Sequence, residues 1–369
     1  MTHEDYMRKA LALARKGMGF TSPNPMVGAV IVRDGEIIGT GYHQKYGDLH
    51  AERTAFAYCD ERGIDCTGAD MYVTLEPCCH HGKQPPCTEA VIAHGIKRVF
   101  VGSSDPNPLV AGKGTQILRS HGIEVTEGVL KEECDALNEI FFHFITTGLP
   151  FVTMKYAMTL DGKIACYTGE SKWITGEAAR AHVQQERLRH SAIMAGVGTV
   201  LADDPMLTCR LENGRDPIRI ICDSSLRTPL DSNIVRTAKQ VPTIIATISE
   251  NSARAAEYEA AGCRIIKTAA KDGHVDLSAL MKLLGSEKID SILLEGGGEL
   301  NWSALREGIV SKVQAYIAPK LFGGSGKTPV GGTGVPFPSE AFMLAKCSVT
   351  SVGEDILIES RVKNVHGNN

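Results

Sequence analysis

Apolar residues near the N-terminus recur at the spacing of an amphipathic helix, and later ones form short runs typical of strands. The helical positions, three or four residues apart, are Met7, Ala10, Leu11 and Ala14. Thr2 and Asp5 have the spacing of a capping box, which predicts where this helix begins. The following apolar runs predict strands at 27–32, 36–41, 71–75, 98–102 and 123–126. Helices are predicted at 50–60, 88–93, 116–120 and 131–146.

The alternation of strand-like and helical segments continues in the second half of the chain. A Gly and a Pro within 147–150 interrupt a long helical pattern just before a new apolar run. We therefore predict two domains, residues 1–147 and 148–369. Strands of the second domain are predicted at 151–157, 192–196, 218–222, 243–246, 264–267, 291–294 and 313–317. The pattern predicts an α/β fold of two three-layer domains, each a sheet with helices on both faces.

The composition is typical of a globular protein that acts on a small molecule. The 369 residues are 43% hydrophobic and 22% charged, with a net charge of −4. No run of Lys and Arg forms a basic patch, so neither nucleic acid nor a membrane is an expected partner. No apolar run could cross a bilayer, and the N-terminus has no secretory signal pattern. Eleven cysteines without framework spacing indicate reduced thiols and a cytoplasmic location.

A histidine, a glutamate and two cysteines in the first domain are spaced like the parts of a catalytic zinc site. His50 and Glu52 open a predicted helix, and Cys78 and Cys87 follow the next predicted strand. The histidine and the two cysteines would occupy three tetrahedral positions of Zn²⁺ and leave the fourth for water. Glu52, which is not a ligand, would move a proton from that water to a departing amine. This pattern predicts a zinc-dependent deaminase.

The same residues also allow other interpretations. His50 could cap its helix while the cysteines fill the core. His80 or His81 could complete a fully ligated structural zinc site in a binding protein. Cys79 could replace its neighbour as a ligand, although the position directly after a proline favours Cys78.

The segment from Glu76 to Cys87 resembles the deaminase half of the bacterial bifunctional riboflavin-biosynthesis enzymes. It matches the family string Glu-Pro-Cys-x-His-x-Gly-x-x-Pro-Pro-Cys, although Cys79 stands where serine is commoner in the family. The resemblance implies a cytidine-deaminase-like fold for the first domain. It also implies that Asn24 and His80 line the substrate pocket, while an ordinary turn residue is the alternative for Asn24.

A strand, a glycine turn and the start of a helix follow one another at 292–299. Such a turn lets backbone N–H groups approach a pyrophosphate, but it is not the Gly-x-Gly-x-x-Gly dinucleotide motif, and a bare tight turn fits equally well. Three further segments, 155–165, 169–175 and 196–210, resemble the reductase half of the same family. The resemblance implies a dihydrofolate-reductase-like fold that binds NADPH.

The resemblance also implies, position by position, which residues form the reductase site. Those implied to contact NADPH are Ala157, Trp173, Thr199, Asp203, Ser224, Gly297, Gly298, Glu299, Leu300, Asn301, Trp302 and Ser303. Those implied to contact the substrate are Ser171, Arg187, Leu207, Arg210 and Glu295. The planar guanidinium groups of Arg187 and Arg210 suit a phosphate. Glu295 could hold a sugar hydroxyl or pair with a developing iminium. The alternatives are surface ion pairs for the two arginines and core packing for Trp173.

These features together predict two consecutive reactions in one chain. The first domain would use Zn²⁺ to deaminate 2,5-diamino-6-ribosylamino-4(3H)-pyrimidinone 5′-phosphate hydrolytically. The second domain would use NADPH to reduce the ribosyl group of 5-amino-6-(5-phosphoribosylamino)uracil to ribityl. The alternatives are a tRNA or nucleoside deaminase fused to an unrelated reductase, and a nucleotide-binding protein with structural zinc. We also expect a homo-oligomer.

Overall fold

The chain forms two compact units, Met1–Gly148 and Leu149–Asn369. The structure, a computed structural model, describes residues 1–81, 84–107 and 110–363. Gly148 ends the last helix of the first unit with φ of 70°, a conformation that glycine adopts without a steric penalty. Its N–H donates to the Phe144 carbonyl at 2.8 Å, and Pro150 follows, which cannot continue the helix.

The first unit begins with a helix and then alternates strands with helices. Its helices are α1 (His3–Ala14), α2 (Ala51–Asp60), α3 (Cys87–Ala93), α4 (Lys113–Ser120), α5 (Lys131–Leu137) and α6 (Glu139–Thr147), with a 3-10 turn at Arg15–Gly17. Its strands are β1 (Gly28–Arg33), β2 (Glu36–Tyr42), β3 (Asp70–Leu75), β4 (Arg98–Ser103) and β5 (Glu124–Glu127). The capping box of α1 is confirmed, because Thr2 and Asp5 each accept a hydrogen bond from the backbone N–H of the other.

The five strands form one sheet in the order β2-β1-β3-β4-β5. β1 is antiparallel to both of its neighbours, whereas β3, β4 and β5 run parallel. α1 packs on one face through Met7 and Leu11. α2, α3 and α4 pack on the other through Phe56, Val91 and Leu118. The three layers predicted for this domain are therefore confirmed.

The single helix predicted at 131–146 is wrong, because α5 and α6 are separated at Asn138. The Asn138 side chain is buried, and its amide accepts from the Met26 N–H and donates to the Met26 carbonyl, both at 2.9 Å. An Asn side chain that hydrogen-bonds to backbone groups in this way favours the end of a helix over its continuation. The Asn138 backbone accordingly leaves the regular helical region, with φ of −105° and ψ of 21°.

The second unit is built from a larger set of alternating elements. Its helices are α7 (Glu177–Arg189), α8 (Val197–Asp203), α9 (Asn233–Arg236), α10 (Ser252–Ala261), α11 (Leu277–Ser286) and α12 (Gly298–Arg306), with a 3-10 turn at Pro338–Glu340. Its strands are β6 (Phe151–Thr159), β7 (Ala192–Gly196), β8 (Ile218–Cys222), β9 (Thr243–Thr247), β10 (Arg264–Lys267), β11 (Ala270–Lys271), β12 (His274–Val275), β13 (Ser291–Leu294), β14 (Val310–Ala318), β15 (Leu344–Val352) and β16 (Asp355–Val362).

Nine of these strands form one sheet in the order β10-β9-β8-β7-β13-β6-β14-β16-β15, and β11 and β12 form a separate hairpin. The first seven strands in this order run parallel. α11 and α12 cover one face through Leu280 and Leu305, and α8 and α10 cover the other through Val200 and Tyr258. β13 lies between β6 and β7, so the winding of the chain changes there, and a crevice at the carboxyl ends of such strands is a common ligand site.

β15 and β16 were not predicted. β15 forms the edge of the sheet, and most of its residues are exposed on both faces. A strand without a buried face does not show the apolar alternation on which strand prediction depends.

Candidate active sites

His50, Cys78 and Cys87 come together although each lies on a different element. His50 is the N-cap of α2, Cys78 follows β3, and Cys87 is the first residue of α3. Their candidate ligand atoms, one from each residue, lie within 4.8 Å of one another. Across the part of the chain that the structure describes, no other group of three His, Cys, Asp or Glu residues is arranged in this way.

The spacing of these atoms fits a tetrahedral zinc ion. His50 Nδ1 lies 3.5 Å from Cys78 Sγ and 3.4 Å from Cys87 Sγ. With Zn–N of about 2.0 Å, Zn–S of about 2.3 Å and a tetrahedral angle, a ligand nitrogen and a ligand sulfur lie about 3.5 Å apart. The three residues can therefore hold Zn²⁺ and leave one position for a ligand from outside the protein.

The adjacent thiols of Cys78 and Cys79 have different surroundings. Cys78 Sγ accepts from the Cys87 backbone N–H at 3.3 Å. A hydrogen bond with the Cys87 side chain outweighs burial and, together with His50, lowers the pKa of Cys78 to about 4. Burial raises the pKa of Cys79, which lies outside the three-residue group. Of these two adjacent cysteines, Cys78 is therefore the one placed to bind zinc, which cysteine does as the thiolate.

Glu52 is buried beside the same group, in the first turn of α2. The N-cap backbone at His50 is extended (φ −70°, ψ 162°), so the chain turns between the two residues and both can face one site. Burial raises the pKa of the Glu52 carboxyl, and the charge of Cys78 raises it further. A buried carboxyl whose pKa is raised in this way is suited to general acid–base catalysis.

His50, Cys78 and Cys87 are called the metal group below. Asn24 connects to this group through His43, a residue that the sequence analysis missed. His43 Nδ1 donates to the Leu49 carbonyl at 3.0 Å, which leaves Nε2 to accept from the Asn24 amide at 3.3 Å. The His43 ring is edge-on to the His50 ring, with 5.5 Å between centroids. These contacts orient the Asn24 amide. His43 is identified by its contacts with Asn24, Leu49 and His50 in the folded chain, and it is not part of a sequence motif.

The two other histidines near the cysteines have different roles. His80 is half-buried, and its Nδ1 is buried without a hydrogen-bond partner among the described residues. Burial raises the pKa of the nearby Asp105 to about 6, although the charge of His80 opposes this shift. His81 is exposed and pairs with Glu89 at 3.5 Å, so it does not complete the metal group. Gly82 of the family string lies outside the described residues.

Arg53 in α2 makes hydrogen bonds to the segment that ends at Cys87, the second cysteine of the metal group. Its Nε donates to the Pro85 carbonyl at 3.0 Å, and its Nη2 donates to the Pro86 carbonyl at 2.8 Å. Pro86 directly precedes Cys87, so one side chain ties α2 to the start of α3. Sequence analysis did not find this contact, because Arg53 and its acceptors are more than 30 residues apart.

In the second unit, the residues predicted to contact NADPH gather at the carboxyl ends of neighbouring strands. Ser224 follows β8, Thr199 and Asp203 lie in α8 after β7, and the glycine turn follows β13. A Cβ atom added to Gly297 would lie 3.8 Å from Thr199 Oγ1, so the starts of α8 and α12 face each other. Among the described residues no side chain caps either helix. Their first N–H groups therefore fit a diphosphate.

The glycine turn and the start of α12 also contain buried residues. Asn301 and Trp302 are buried, and Asn301 Oδ1 is without a hydrogen-bond partner in the described structure. Glu299 is exposed, and its Oε1 accepts from the Gly332 N–H at 3.0 Å. The half-buried members of the predicted set in this region are Gly297, Gly298, Leu300 and Ser303.

Glu295 and Arg187, both predicted to bind substrate, form a partly buried ion pair in the structure. Arg187 donates through Nε at 2.7 Å and Nη2 at 3.0 Å to the two carboxylate oxygens. Lys155 lies 3.6 Å away on the other side, a residue to which the sequence analysis gave no role. Burial opposes ionisation of Glu295, but the two cations outweigh it and lower its pKa to about 2. The carboxylate is therefore charged and held in place.

The remaining predicted residues differ in exposure and in their contacts. Trp173 is 59% exposed, and the Arg180 guanidinium lies 4.8 Å from its ring centroid, so core packing does not describe it. Leu207 is buried in the cluster under α8 and α9. Arg210 is exposed, and its backbone N–H donates to Gln184 at 2.9 Å. The half-buried members are Ala157, Ser171, Thr199 and Ser224, and Asp203 is exposed.

None of the helices in residues 1–81, 84–107 and 110–363 has the length and apolar composition needed to cross a lipid bilayer.

Comparisons with known proteins match both units. The family model of the RibD C-terminal domain matches residues 150–358, and that of the cytidine and deoxycytidylate deaminase zinc-binding region matches residues 1–103. The riboflavin biosynthesis protein RibD of Actinobacillus pleuropneumoniae is 57% identical over 360 residues, which are 97% of this chain and 95% of that protein.

Two solved structures match over nearly the whole chain. A diaminohydroxyphosphoribosylaminopyrimidine deaminase/5-amino-6-(5-phosphoribosylamino)uracil reductase from Thermotoga maritima is 40% identical with a TM-score of 0.85, and 98% of each chain is covered. RibD of Acinetobacter baumannii is 35% identical with a TM-score of 0.85, and 98% of this chain and 99% of that one are covered. The chain therefore belongs to the RibD family and is a bifunctional enzyme of riboflavin biosynthesis, with a Zn²⁺-dependent deaminase and an NADPH-dependent reductase.

Proposed function

We propose that residues 1–147 deaminate 2,5-diamino-6-ribosylamino-4(3H)-pyrimidinone 5′-phosphate, and that residues 148–369 reduce the ribosyl group of the product to ribityl. The observation that carries this proposal is a three-residue metal group with a buried carboxyl beside it. A structural zinc site needs a fourth protein ligand, and the described residues offer none. A tRNA deaminase would need a basic face, which the composition does not indicate.

In the deaminase site, His50, Cys78 and Cys87 hold Zn²⁺, which when bound makes water acidic enough to attack near neutral pH. Glu52 accepts a proton from the attacking water and delivers it to the amino group, which leaves as ammonia. Asn24, oriented by His43, and His80 bind the edge of the pyrimidine. The water oxygen becomes the new carbonyl oxygen of the ring, so water is consumed and ammonia is the second product.

In the reductase site, NADPH supplies the hydride, and the protein positions the sugar carbon that receives it. The charged carboxylate of Glu295, held by Arg187 and Lys155, accepts hydrogen bonds from sugar hydroxyl groups. The carboxyl ends of β8, β7 and β13 would hold the cofactor, and the first N–H groups of α8 and α12 would bind its diphosphate. The proposed cofactor contacts are Ala157, Trp173, Thr199, Asp203, Ser224 and 297–303, and the proposed substrate contacts are Ser171, Arg187, Leu207, Arg210 and Glu295.

Substitution of the proposed proton carrier tests this assignment. We expect Glu52→Gln to lower ammonia release by about 10²- to 10⁴-fold while its zinc content stays unchanged. Glu61→Gln is a matched control at the exposed end of the same helix and should release ammonia normally. NADPH oxidation on the deaminated intermediate should be unaffected in both variants. Normal ammonia release by Glu52→Gln would reject the proposed role.

We also infer that the enzyme is a cytoplasmic homodimer that associates through β15. This strand ends the nine-stranded sheet, and its outer edge is unpaired among the described strands. Met343, Leu344 and Val349 on and beside it are 58%, 46% and 63% exposed. An exposed apolar edge strand favours pairing with another copy. All eleven cysteines are free thiols, which supports the cytoplasmic location.

A further inference from the structure

Arg219 is a fully buried cation within the reductase unit. It lies in β8, and its exposure is 0%. Its guanidinium makes six hydrogen bonds of 2.7 to 3.2 Å, and every acceptor is neutral. The acceptors are the hydroxyl groups of Thr237 and Thr243 and the carbonyls of Met206, Ile234 and Val241. A buried cation that is not hydrogen-bonded to a carboxylate lowers the stability of the fold. The presence of Arg219 at this position therefore suggests a role other than stability.

One of these acceptors belongs to the loop that follows α8. The Met206 carbonyl accepts from Arg219 Nη1 at 3.2 Å. Asp204 and Leu207, on either side, have positive φ angles of 39° and 49°, which are unfavourable for residues other than glycine. Such a backbone persists only where its surroundings fix it. Asn233 at the start of α9 fixes the other end through hydrogen bonds of 2.8, 2.9 and 3.0 Å to Asp204.

The same loop carries proposed contacts of the reductase. Asp203 precedes it, and Leu207 and Arg210 lie within it. Arg219 is too deeply buried to touch a ligand, so any influence on binding must pass through the loop. We propose that Arg219 is a positioning residue that holds the Met206 carbonyl and thereby sets the binding conformation of residues 203–210. This inference rests on the site proposed above.

The remaining contacts of Arg219 provide a control for general stability. Thr243 Oγ1 accepts two of its hydrogen bonds but belongs to β9 and not to the loop. Thr243→Val therefore disturbs the same guanidinium without freeing the Met206 carbonyl. A residue with a merely structural role would affect unfolding in both cases and binding in neither.

The experiment measures NADPH oxidation on the deaminated intermediate by the full chain, with each of the two reactants varied in turn. We expect Arg219→Lys and Arg219→Gln to raise KM for one or both reactants on the order of tenfold, as expected for a lost charge-assisted hydrogen bond. The kcat should change much less. Ammonia release in the same preparations should stay normal, because the other unit performs it. Thr243→Val should lower the Tm and leave both KM values unchanged.

Each outcome has a separate meaning. If folded Arg219→Lys keeps both wild-type KM values, or if Thr243→Val raises them equally, the positioning role is rejected. Should Arg219→Gln fail to fold, Arg219→Lys, which retains the charge but cannot reach all the acceptors, decides the question. If the wild-type chain does not oxidise NADPH on the deaminated intermediate, the proposed reductase function itself fails.

Discussion

Cys78 and Cys79 are adjacent in sequence, but only Cys78 lies in the metal group. We expect Cys78→Ala to lose the zinc ion, because two ligands remain where three are needed. Cys79→Ala should keep one zinc ion per chain and serves as the matched control. Metal analysis after dialysis measures the difference. Zinc retained by Cys78→Ala and lost by Cys79→Ala would reverse the assignment.

Glu295 makes the stability of the reductase unit depend on pH. Its folded pKa of about 2 is below the ordinary value of 4.5, so folding favours the ionised form. The stabilisation is therefore fully present above about pH 4.5 and is lost as the pH falls toward 2. Removal of one member of a buried ion pair leaves the others uncompensated, here Arg187 and Lys155.

We expect Glu295→Gln to lower the free energy of unfolding at pH 7 by roughly 3 kcal/mol, and this difference should shrink toward pH 3. Urea unfolding followed by tryptophan fluorescence measures it, since Trp173 and Trp302 both lie in the second unit. Glu257→Gln removes an exposed ion pair and should cost less than about 1 kcal/mol. A difference that is independent of pH would contradict the account.

Individual site residues could be predicted where the residues of a site lie close together in the sequence. The interval between His50 and Glu52 and the proline before Cys78 indicated a zinc site from sequence alone. His43 and Arg219 could not be predicted in this way. Their partners are brought near by the fold, and their residue types are common in many other roles.

At the level of elements, a side-chain link joins α2 to the segment before α3, and both elements carry residues of the metal group. Arg53 makes this link through two backbone carbonyls. We expect Arg53→Met to weaken zinc binding by about 10- to 100-fold, as is typical for residues that support metal ligands. Arg62→Met, just beyond the end of α2, removes a hydrogen bond to the Tyr58 carbonyl of the same helix and should bind zinc normally. Competition with a chelator measures both, and equal zinc affinities would reject the role of Arg53.

Element prediction succeeded where burial imposes a pattern. The strands predicted at 192–196, 218–222 and 291–294 have the observed bounds, because each is a short, mostly buried run in a parallel sheet. The strand predicted at 264–267 also has the observed bounds, although Ile266 is its one buried residue. The break in the helix at Asn138 depends on hydrogen bonds with Met26, which lies 112 residues earlier in the chain. The sequence around Asn138 therefore does not predict it. β15 was missed because most of its residues are exposed and show no alternation of burial. β16 was missed because its buried positions include the polar residues Asp355 and Ser360, whereas the apolar Ile356 is exposed.

At the level of the whole molecule, the outer edge of β15, with which no described strand pairs, predicts association. We expect a solution mass of twice the 39.7 kDa chain. Val349→Lys should favour the single chain, because a charge on an edge strand opposes pairing. Ala253→Lys adds the same charge on the exposed face of α10 and should leave the mass unchanged. Light scattering after size-exclusion chromatography measures the mass of each variant in solution. An unchanged mass for Val349→Lys would exclude this edge as the interface.

The most direct test of the whole account follows ammonia and NADPH in one reaction with the diaminopyrimidine ribosylamino phosphate. We expect ammonia release and NADPH oxidation in equal amounts. A chelator should stop both, and NADPH oxidation should return when the deaminated intermediate is supplied. Ammonia without NADPH oxidation would contradict the reductase assignment. NADPH oxidation without ammonia, or a chelator block that the intermediate does not relieve, would contradict two independent sites acting in sequence.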